Sequence, residues 1–560
     1  MIGQKLKEAF VLQILTPRTK FSGGRGNWPL QILSQDNGFL NTTGNNEILD
    51  KLVGIESILS HHEGLLVGQH ERLKRLEDSG SIRAEDTNDI GYGLETGNNL
   101  PPLTIPNDHN TPAIRVLRLP KIRALIGEYP RDYFYDIEIH RKMPTLGQDV
   151  VLPELDKTTC DGLLSAYYSK VHCHHPVLDY GTLLHYYNRL FNEPFSWTIE
   201  TAIVLVVLAL GEVASSASAQ ITANDKQGNS LPGMMYFDPA FHVIGKEAQF
   251  DFGLRAQIAQ AQVLSGIYFA YLAYPLLSWR MIHSASTTVQ LMLSRASDID
   301  SLIDDEIRLF WSSFLIESDR LAEFELPRSG IESMVDDMPL PSIADSPDTV
   351  IIHFLAEISI RRLLNRVHNT LYSSKANDRS IKSLLDICEE LNRQLETWHQ
   401  STPESARPSL GMEPPPDSDS ERALILRIRY YACTHIIFRP FVLRVIDSTS
   451  DDEFGIYKDK VLENSIRCIS AIRMYIHNVV YELARPSPYT WTLAMSTFGA
   501  ILVITAASMS PPLKNYLPDI VSLQDMAIRT LSPWAEEDSS IKSVIWLMEH
   551  LKHRRQFEIR

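Results

Sequence analysis

Glu306-Ile-Arg-Leu-Phe-Trp-Ser-Ser-Phe-Leu-Ile-Glu-Ser-Asp-Arg-Leu-Ala322, then Glu325-Leu-Pro-Arg-Ser329, then Asp336-Asp-Met-Pro-Leu-Pro341, is the stretch whose reading decides the fold. The first run predicts a helix over about 303–324. Phe310, Trp311 and Phe314 then fall on adjacent turns and are expected to be core aromatics. Asp319 and Arg320 are expected to cap and pair with neighbouring helices, because a buried ion pair is costly unless it is fully hydrogen-bonded. The same periodicity recurs further on. Ile360, Leu363, Leu364, Val367 and Leu371 share one helical face, and so do Leu424, Ile428, Tyr431 and His435. Alternating β-branched runs with Asn-Gly or Asp-Gly turns are almost absent, so no sheet is expected. The pattern predicts an all-α chain with helices near 159–190, 197–219, 255–295, 303–324, 350–374, 379–399, 419–447, 459–484, 488–509, 519–531 and 539–553.

Composition narrows the function classes. The 560 residues are 44% apolar and 22% charged, as in an ordinary soluble globular protein, and can bury a substantial core. The net charge of -16 argues against non-specific binding to nucleic acid or an anionic membrane. Cys160, Cys173, Cys388, Cys433 and Cys468 are scattered without framework spacing, which fits a reducing compartment. Even the nearest pair, Cys160 and Cys173, is too far apart for a Cys-x2-Cys metal group. The most apolar run, Ala202–Gly211, falls well short of the ~20 residues of a membrane helix and is expected to be a buried one.

Four segments are expected. Residues 1–46, broken by Pro17, Gly23, Gly24, Gly26 and Pro29, read as a disordered N-terminal segment. Its Lys5, Lys7, Arg18, Lys20 and Arg25 suit a tail on phosphate or a merely solvated one. Residues 47–78 carry Leu52, Leu59, Leu66 and Leu73 every seven positions, with Ile48, Ile55 and Leu76 between them, as in a short coiled coil. Polar His62 and Gln69 interrupt that seam, and Gly54, Gly64 and Gly68 each cost about 1 kcal/mol of helix relative to Ala. An amphipathic helix packed on its own domain is the alternative. Residues 79–114 read as a linker and 115–560 as a helical domain with an exposed proline-rich loop at 401–420.

The opening block resembles the central segment of the fungal zinc-cluster transcription factors, their fungal-specific transcription factor or middle homology region. Other blocks resemble it in the same order: Leu163–Asp179 with His175-Pro176-Val177-Leu178; Gln260–Leu293 with Gln262-Val263-Leu264, Trp279 and Ala285; Phe354–Leu364 with Glu357, Arg361 and Arg362; and Tyr430–Phe441 with Arg439-Pro440. Trp311, Asp319, Arg320, Pro327, Arg328, Arg439 and Pro440 are the motif residues expected to be structural. Arg439-Pro440 is expected at a helix C-terminus, where a cation suits the macrodipole and proline stops the helix.

The resemblance implies a nuclear regulator of a gene set, such as a metabolic pathway or biosynthetic gene cluster, acting through a large helical regulatory domain. It implies a homodimer, or a heterodimer with another regulator, and a small-molecule effector. No membrane partner is expected. DNA contact is expected only indirectly or through a zinc-cluster module that these residues lack; no zinc or other cofactor is expected in the chain itself. A truncated gene model, a splice form and dependence on a DNA-binding partner all remain open as reasons.

The alternative is a helical small-molecule-binding protein or enzyme on the same domain without DNA contact. Enzyme signatures are weak. Adjacent His172-Cys173-His174-His175 cannot all face one ion. The pairs Asp304-Asp305, Asp336-Asp337 and Asp451-Asp452 lack a third acid at the offset that magnesium diphosphate chemistry needs. No Gly-x-Ser-x-Gly or His-Glu-x-x-His run occurs.

If the heptad seam joins two chains, replacing Leu59 and Leu66 with Ser removes two buried leucines per chain, each worth about 1.5–3 kcal/mol. Sedimentation should then show a weak wild-type dimer and a monomeric, still helical double variant. An unchanged dimer would place the interface elsewhere.

Overall fold

A computed structural model describes residue 105 and residues 112–558, apart from 145, 148–149, 219–220, 222–230, 254, 296–301, 343–347, 374–378, 414–419 and 449–452. Ile48, Leu52, Ile55, Leu59, Leu66, Leu73 and Leu76, and with them the expected coiled coil and N-terminal segment, lie outside the described residues. Among the described residues the chain is helical throughout and no strand occurs, as the periodicity predicts.

The chain enters through three short helices, α1 (Pro112–Leu117), α2 (Pro120–Ile126) and α3 (Tyr133–His140). These were absent from the sequence reading, being too short to show a periodic face. Ile105 and Ala113 are already buried, so packing reaches back into the span read as linker. A first group follows: α4 (Lys157–Tyr167), α5 (Tyr180–Asn192), α6 (Ile199–Val213), α7 (Met234–Ala248), α8 (Ala256–Tyr271) and α9 (Pro275–Leu293). Side-chain oxygens start three of these. Asp156 accepts from Thr159 N at 2.8 Å, Asp179 from Thr182 N at 2.8 Å and Thr198 from Thr201 N at 3.3 Å. In this group α6, buried nearly all round, packs against α4, α5, α7 and α8.

α10 (Asp304–Glu323) bridges to the second group by touching α8 and α9 on one side and α11 (Asp348–Tyr372) and α15 (Thr490–Ser508) on the other. Its first turn holds Asp304, Asp305 and Glu306, which suit the helix N-terminus, and Glu306 reaches back to the Ile303 N–H at 3.2 Å. The second group adds α12 (Ile381–Ser401), α13 (Ser420–Asp447), α14 (Lys458–Glu482), α16 (Ile520–Leu531) and α17 (Ser540–Glu558). α15 is its axis, against α1, α13, α14, α16 and α17. By length and composition α15 could cross a membrane, but 89% of it is buried inside the fold, which makes it a core helix.

Three sequence expectations need correcting. The helix expected at 159–190 is two, separated by a widened π turn (Tyr168–His172) and the His175-Pro176 turn. The helix expected at 255–295 breaks at Ala273, which takes a positive φ of 55° immediately before Tyr274-Pro275. The Arg439-Pro440 stop fails altogether: α13 runs through Pro440 to Asp447. Proline removes the N–H that would bond to the Ile436 carbonyl, and the Tyr372 hydroxyl supplies that bond instead at 2.6 Å. The expected 401–420 loop is partly pinned, with Thr402 and Ala406 buried and Arg407 donating to the Thr402 and Gln400 carbonyls.

The α4–α6 crossing depends on Gly211, where a Cβ would overlap the Leu163 carbonyl, a backbone atom that cannot swing aside. Gly245 in α7 has open space around the same position. Gly211→Ala should therefore destabilise the fold by about 1–3 kcal/mol. Gly245→Ala should stabilise it by about 0.5–1 kcal/mol. Urea unfolding of the two variants checks the contrast.

Candidate functional site

Asp319 lies in the middle of α10, not at a cap, and four elements converge on it. It accepts from Arg361 Nη1 of α11 at 2.7 Å, and its two oxygens accept from Arg429 Nη1 and Nη2 of α13 at 2.9 and 2.8 Å, a two-pronged fork. Arg429 is shared with Glu357 of α11, whose Oε1 also accepts from the Tyr489 hydroxyl at 3.0 Å, just ahead of α15. Asn365 accepts from Arg361 at 3.0 Å and donates to Ser318 Oγ at 3.2 Å. Arg320 turns to the other side, donating to Thr492 Oγ1 at 2.5 Å with its guanidinium 5.8 Å from the Trp491 ring.

The ionisable side chains among these are buried, and burial disfavours charge in each. For Asp319 the guanidiniums of Arg429 and Arg361 overcome that penalty and hold the carboxyl well below the usual carboxylate range. Arg429, against the same burial, is held above its ordinary value by Asp319 and Glu357. In Glu357 burial prevails over Arg429, and its carboxyl moves up. Burial lowers Arg320 to about 10. His175, packed 5.8 Å from the Tyr489 ring, drops to about 3 and is a neutral imidazole at physiological pH.

The other motif residues clamp the turn that follows α10. Trp311 Nε1 donates to the Pro339 carbonyl at 2.8 Å. Glu317 accepts from Ser329 N and Oγ at 2.8 and 2.7 Å, and Trp279 Nε1 donates to the Pro327 carbonyl at 3.3 Å. Trp311 and Phe314 are buried as expected, while Arg328 makes a long contact to Glu332 at 3.5 Å. Arg439 is buried further along α13, 3.2 Å from His435 Nδ1 and with its guanidinium 5.7 Å from the Tyr372 ring. Asp319 and Arg320 thus sit at the centre, Pro327 and Arg328 lie in the clamped turn that Trp311 holds from α10, and Arg439 and Pro440 are away from both. Arg429 and Tyr489 were missed by the sequence reading. The available signal for Arg429 was the pair Arg427 and Arg429 set among apolar residues at the start of the 424–438 run.

Beside this centre lies a polar cavity of about 310 Å³, lined by Lys170, His174, Tyr271, Glu421, Glu482 and Arg485 among others. Arg485 bridges Glu421 at 2.7 Å and Glu482 at 3.3 Å, and Ser487 Oγ donates to Glu482 at 2.7 Å. The His174 ring meets Tyr489 edge-on at 6.0 Å, so cavity and ionic centre share a wall. Among the described residues no three His, Cys, Asp or Glu side chains are grouped to hold a metal ion.

A helical core organised by an aspartate shared between two arginines, with a clamped Leu-Pro turn, is thus what the motif blocks build. Residues 164–400 match the model of the fungal specific transcription factor domain. Two Aspergillus proteins named as ABC-transporter-regulating transcription factors are similar: one from A. oryzae, 24% identical, and one from A. fumigatus, 23% identical, each over 269 residues. Either match covers 44% of this chain and 29% of the relative. A protein of A. rugulosus named as a transcription factor is 28% identical over 165 residues, covering 28% of this chain and 29% of its own length. The chain thus spans less than a third of the curated relatives it matches. The matched family and relatives are transcription factors, not enzymes. No solved structure matches the chain.

Asp319→Asn leaves two buried guanidiniums without their shared carboxylate and should cost about 3–5 kcal/mol in urea unfolding at neutral pH. The pH dependence has a definite sign. A carboxyl depressed in the fold contributes fully above its unfolded value of 3.8 and loses that contribution as pH falls below it. The variant should therefore show a shallower loss of stability in acid than the wild type.

Proposed function

We propose that this chain is the regulatory portion of a nuclear transcription regulator. The carrying observation is the match of residues 164–400 to a transcription factor domain, together with an ionic centre that draws Asp319, Glu357 and Arg361 from inside that span and Arg429 and Tyr489 from beyond it. The functional unit is accordingly the whole helical body, not the matched segment alone. Its target is a gene set, for which transport genes of the kind named for two relatives, a metabolic pathway and a biosynthetic cluster are the candidates.

DNA is reached indirectly, through a zinc-cluster module or a partner regulator. The chain is acidic overall, and its five dispersed cysteines supply no closely spaced thiolates for two shared zinc ions. Pairing of two chains is assigned to the heptads at 47–78, and the cavities of the helical body offer room for a small-molecule effector.

Fused to a heterologous DNA-binding module, the chain should change transcription of a reporter relative to that module alone, and Asp319→Asn should abolish the change. The purified chain by itself should show no tight sequence-specific duplex binding and no stoichiometric zinc. Salt-resistant binding to one defined duplex, or a silent fusion, would overturn the reading.

A further inference from the structure

A second cavity, of about 380 Å³, lies between the start of α3, Trp279 of α9 and the end of α10 with the turn after it. That volume is within the range of about 300–1,000 Å³ typical of small-molecule sites. Its walls are aromatic: Tyr135, Phe324 and Trp279 line it. The Tyr135 and Phe324 rings meet edge-on at 6.3 Å, and the Trp279 indole is held by its bond to Pro327. The polar lining is acidic. Asp132, Asp136, Glu323 and Glu325 face a single cation, Arg131, which is already paired with Glu325.

Glu323 sets this cavity apart from an ordinary surface cleft. It lies one helical turn beyond Asp319, yet among the described residues its side chain makes no hydrogen bond or ion pair, where that of Asp319 is fully engaged. Glu323 is half-buried, and the desolvation it meets there raises its carboxyl to about 8 in spite of the nearby Arg439 and Arg361 guanidiniums, with Asp319 adding to the rise. An anion would be repelled by this lining, and a neutral molecule would leave the carboxylates unused. A hydrated metal ion would gain little from the rings. An organic cation uses both, because ring faces and carboxylates each attract positive charge.

We infer that this cavity binds a small organic ammonium ion, its charged nitrogen against Glu323 and its apolar groups on Trp279, Tyr135 and Phe324. The bound cation takes the place of the proton that Glu323 otherwise keeps near neutrality, so binding releases a proton. The charged and titratable groups that face Glu323 are Asp319 on α10, Arg361 on α11, Arg439 on α13 and Tyr475 on α14. Across the cavity stand Asp132, Asp136 and the Arg131–Glu325 pair. The site touches the end of α10 and the motif turn, so occupancy bears on the ionic centre one helical turn away. Binding is a property of the purified chain and is independent of the transcription reading; a regulatory consequence rests on it.

Calorimetry of the full chain with benzyltrimethylammonium and with neopentylbenzene, its uncharged isostere, tests the site. The ammonium should bind at least about tenfold more tightly. Its heat should vary with the buffer in the way proton release requires. Glu323→Gln should remove the proton release and most of the preference for charge. Tyr135→Leu, at an exposed position, should weaken ammonium binding while leaving the circular dichroism and melting temperature unchanged. Equal binding of the two probes, or no binding at millimolar ammonium, would overturn the inference on wild-type protein alone, whatever the variants do. Unaltered ammonium binding in both variants would place it elsewhere and also overturn the inference. Binding without any response of the tethered reporter would uphold the site and count against the regulatory function.

Discussion

A single carboxylate, Asp319, shared by two guanidiniums, is the constraint on which the rest of the helical body depends. A charge at that depth is tolerated only when every lone pair is answered, and here Arg361 and Arg429 answer them from two different helices. Arg429 must in turn be balanced, and Glu357 does so while accepting the Tyr489 hydroxyl. Helices α10, α11 and α13 and the entry to α15 are therefore fixed in mutual register by directional bonds. Apolar packing alone would let α15, buried on all sides and without a polar face, slide or rotate.

The clamped turn after α10 converts a chain connection into a wall. Trp311 holds Pro339, Glu317 holds Ser329 and Trp279 holds Pro327, so the segment from Phe324 to Pro341 is fastened at three points. One side of that wall closes the aromatic, acidic cavity at Glu323. The polar cavity at His174 borders Tyr489 instead. Two chemically different spaces thus adjoin the same ionic centre. That is a physical basis on which a small molecule could bear on the arrangement of the helices, since a fully bonded ionic centre responds to displacement in steps and not gradually.

The family match ends at residue 400, yet the interactions that hold its centre together do not. Arg429 and Tyr489 complete what Asp319 and Glu357 begin, and α1 packs on α15 near the other end of the chain. The helical body is therefore a physical unit larger than the matched segment.

Much of this was legible in the residues. Helical periodicity at 360–371 and 424–435, the aromatic run at 310–314 and the lack of strand patterning determined an all-α core with Trp311 and Phe314 inside, because local spacing dictates which face of a helix is apolar. The motif blocks pointed to the transcription factor domain. The tertiary structure decided what local spacing cannot encode. It made Asp319 a hub instead of a cap, by bringing up arginines 42 and 110 residues away. It carried α13 through Pro440, because the Tyr372 hydroxyl of another helix replaced the missing N–H. It left the Glu323 side chain, among the described residues, unpaired beside aromatic rings from α3 and α9. Each of these outcomes depends on which distant side chain arrives at a given point, and that is set by packing, not by the order of residues along one helix.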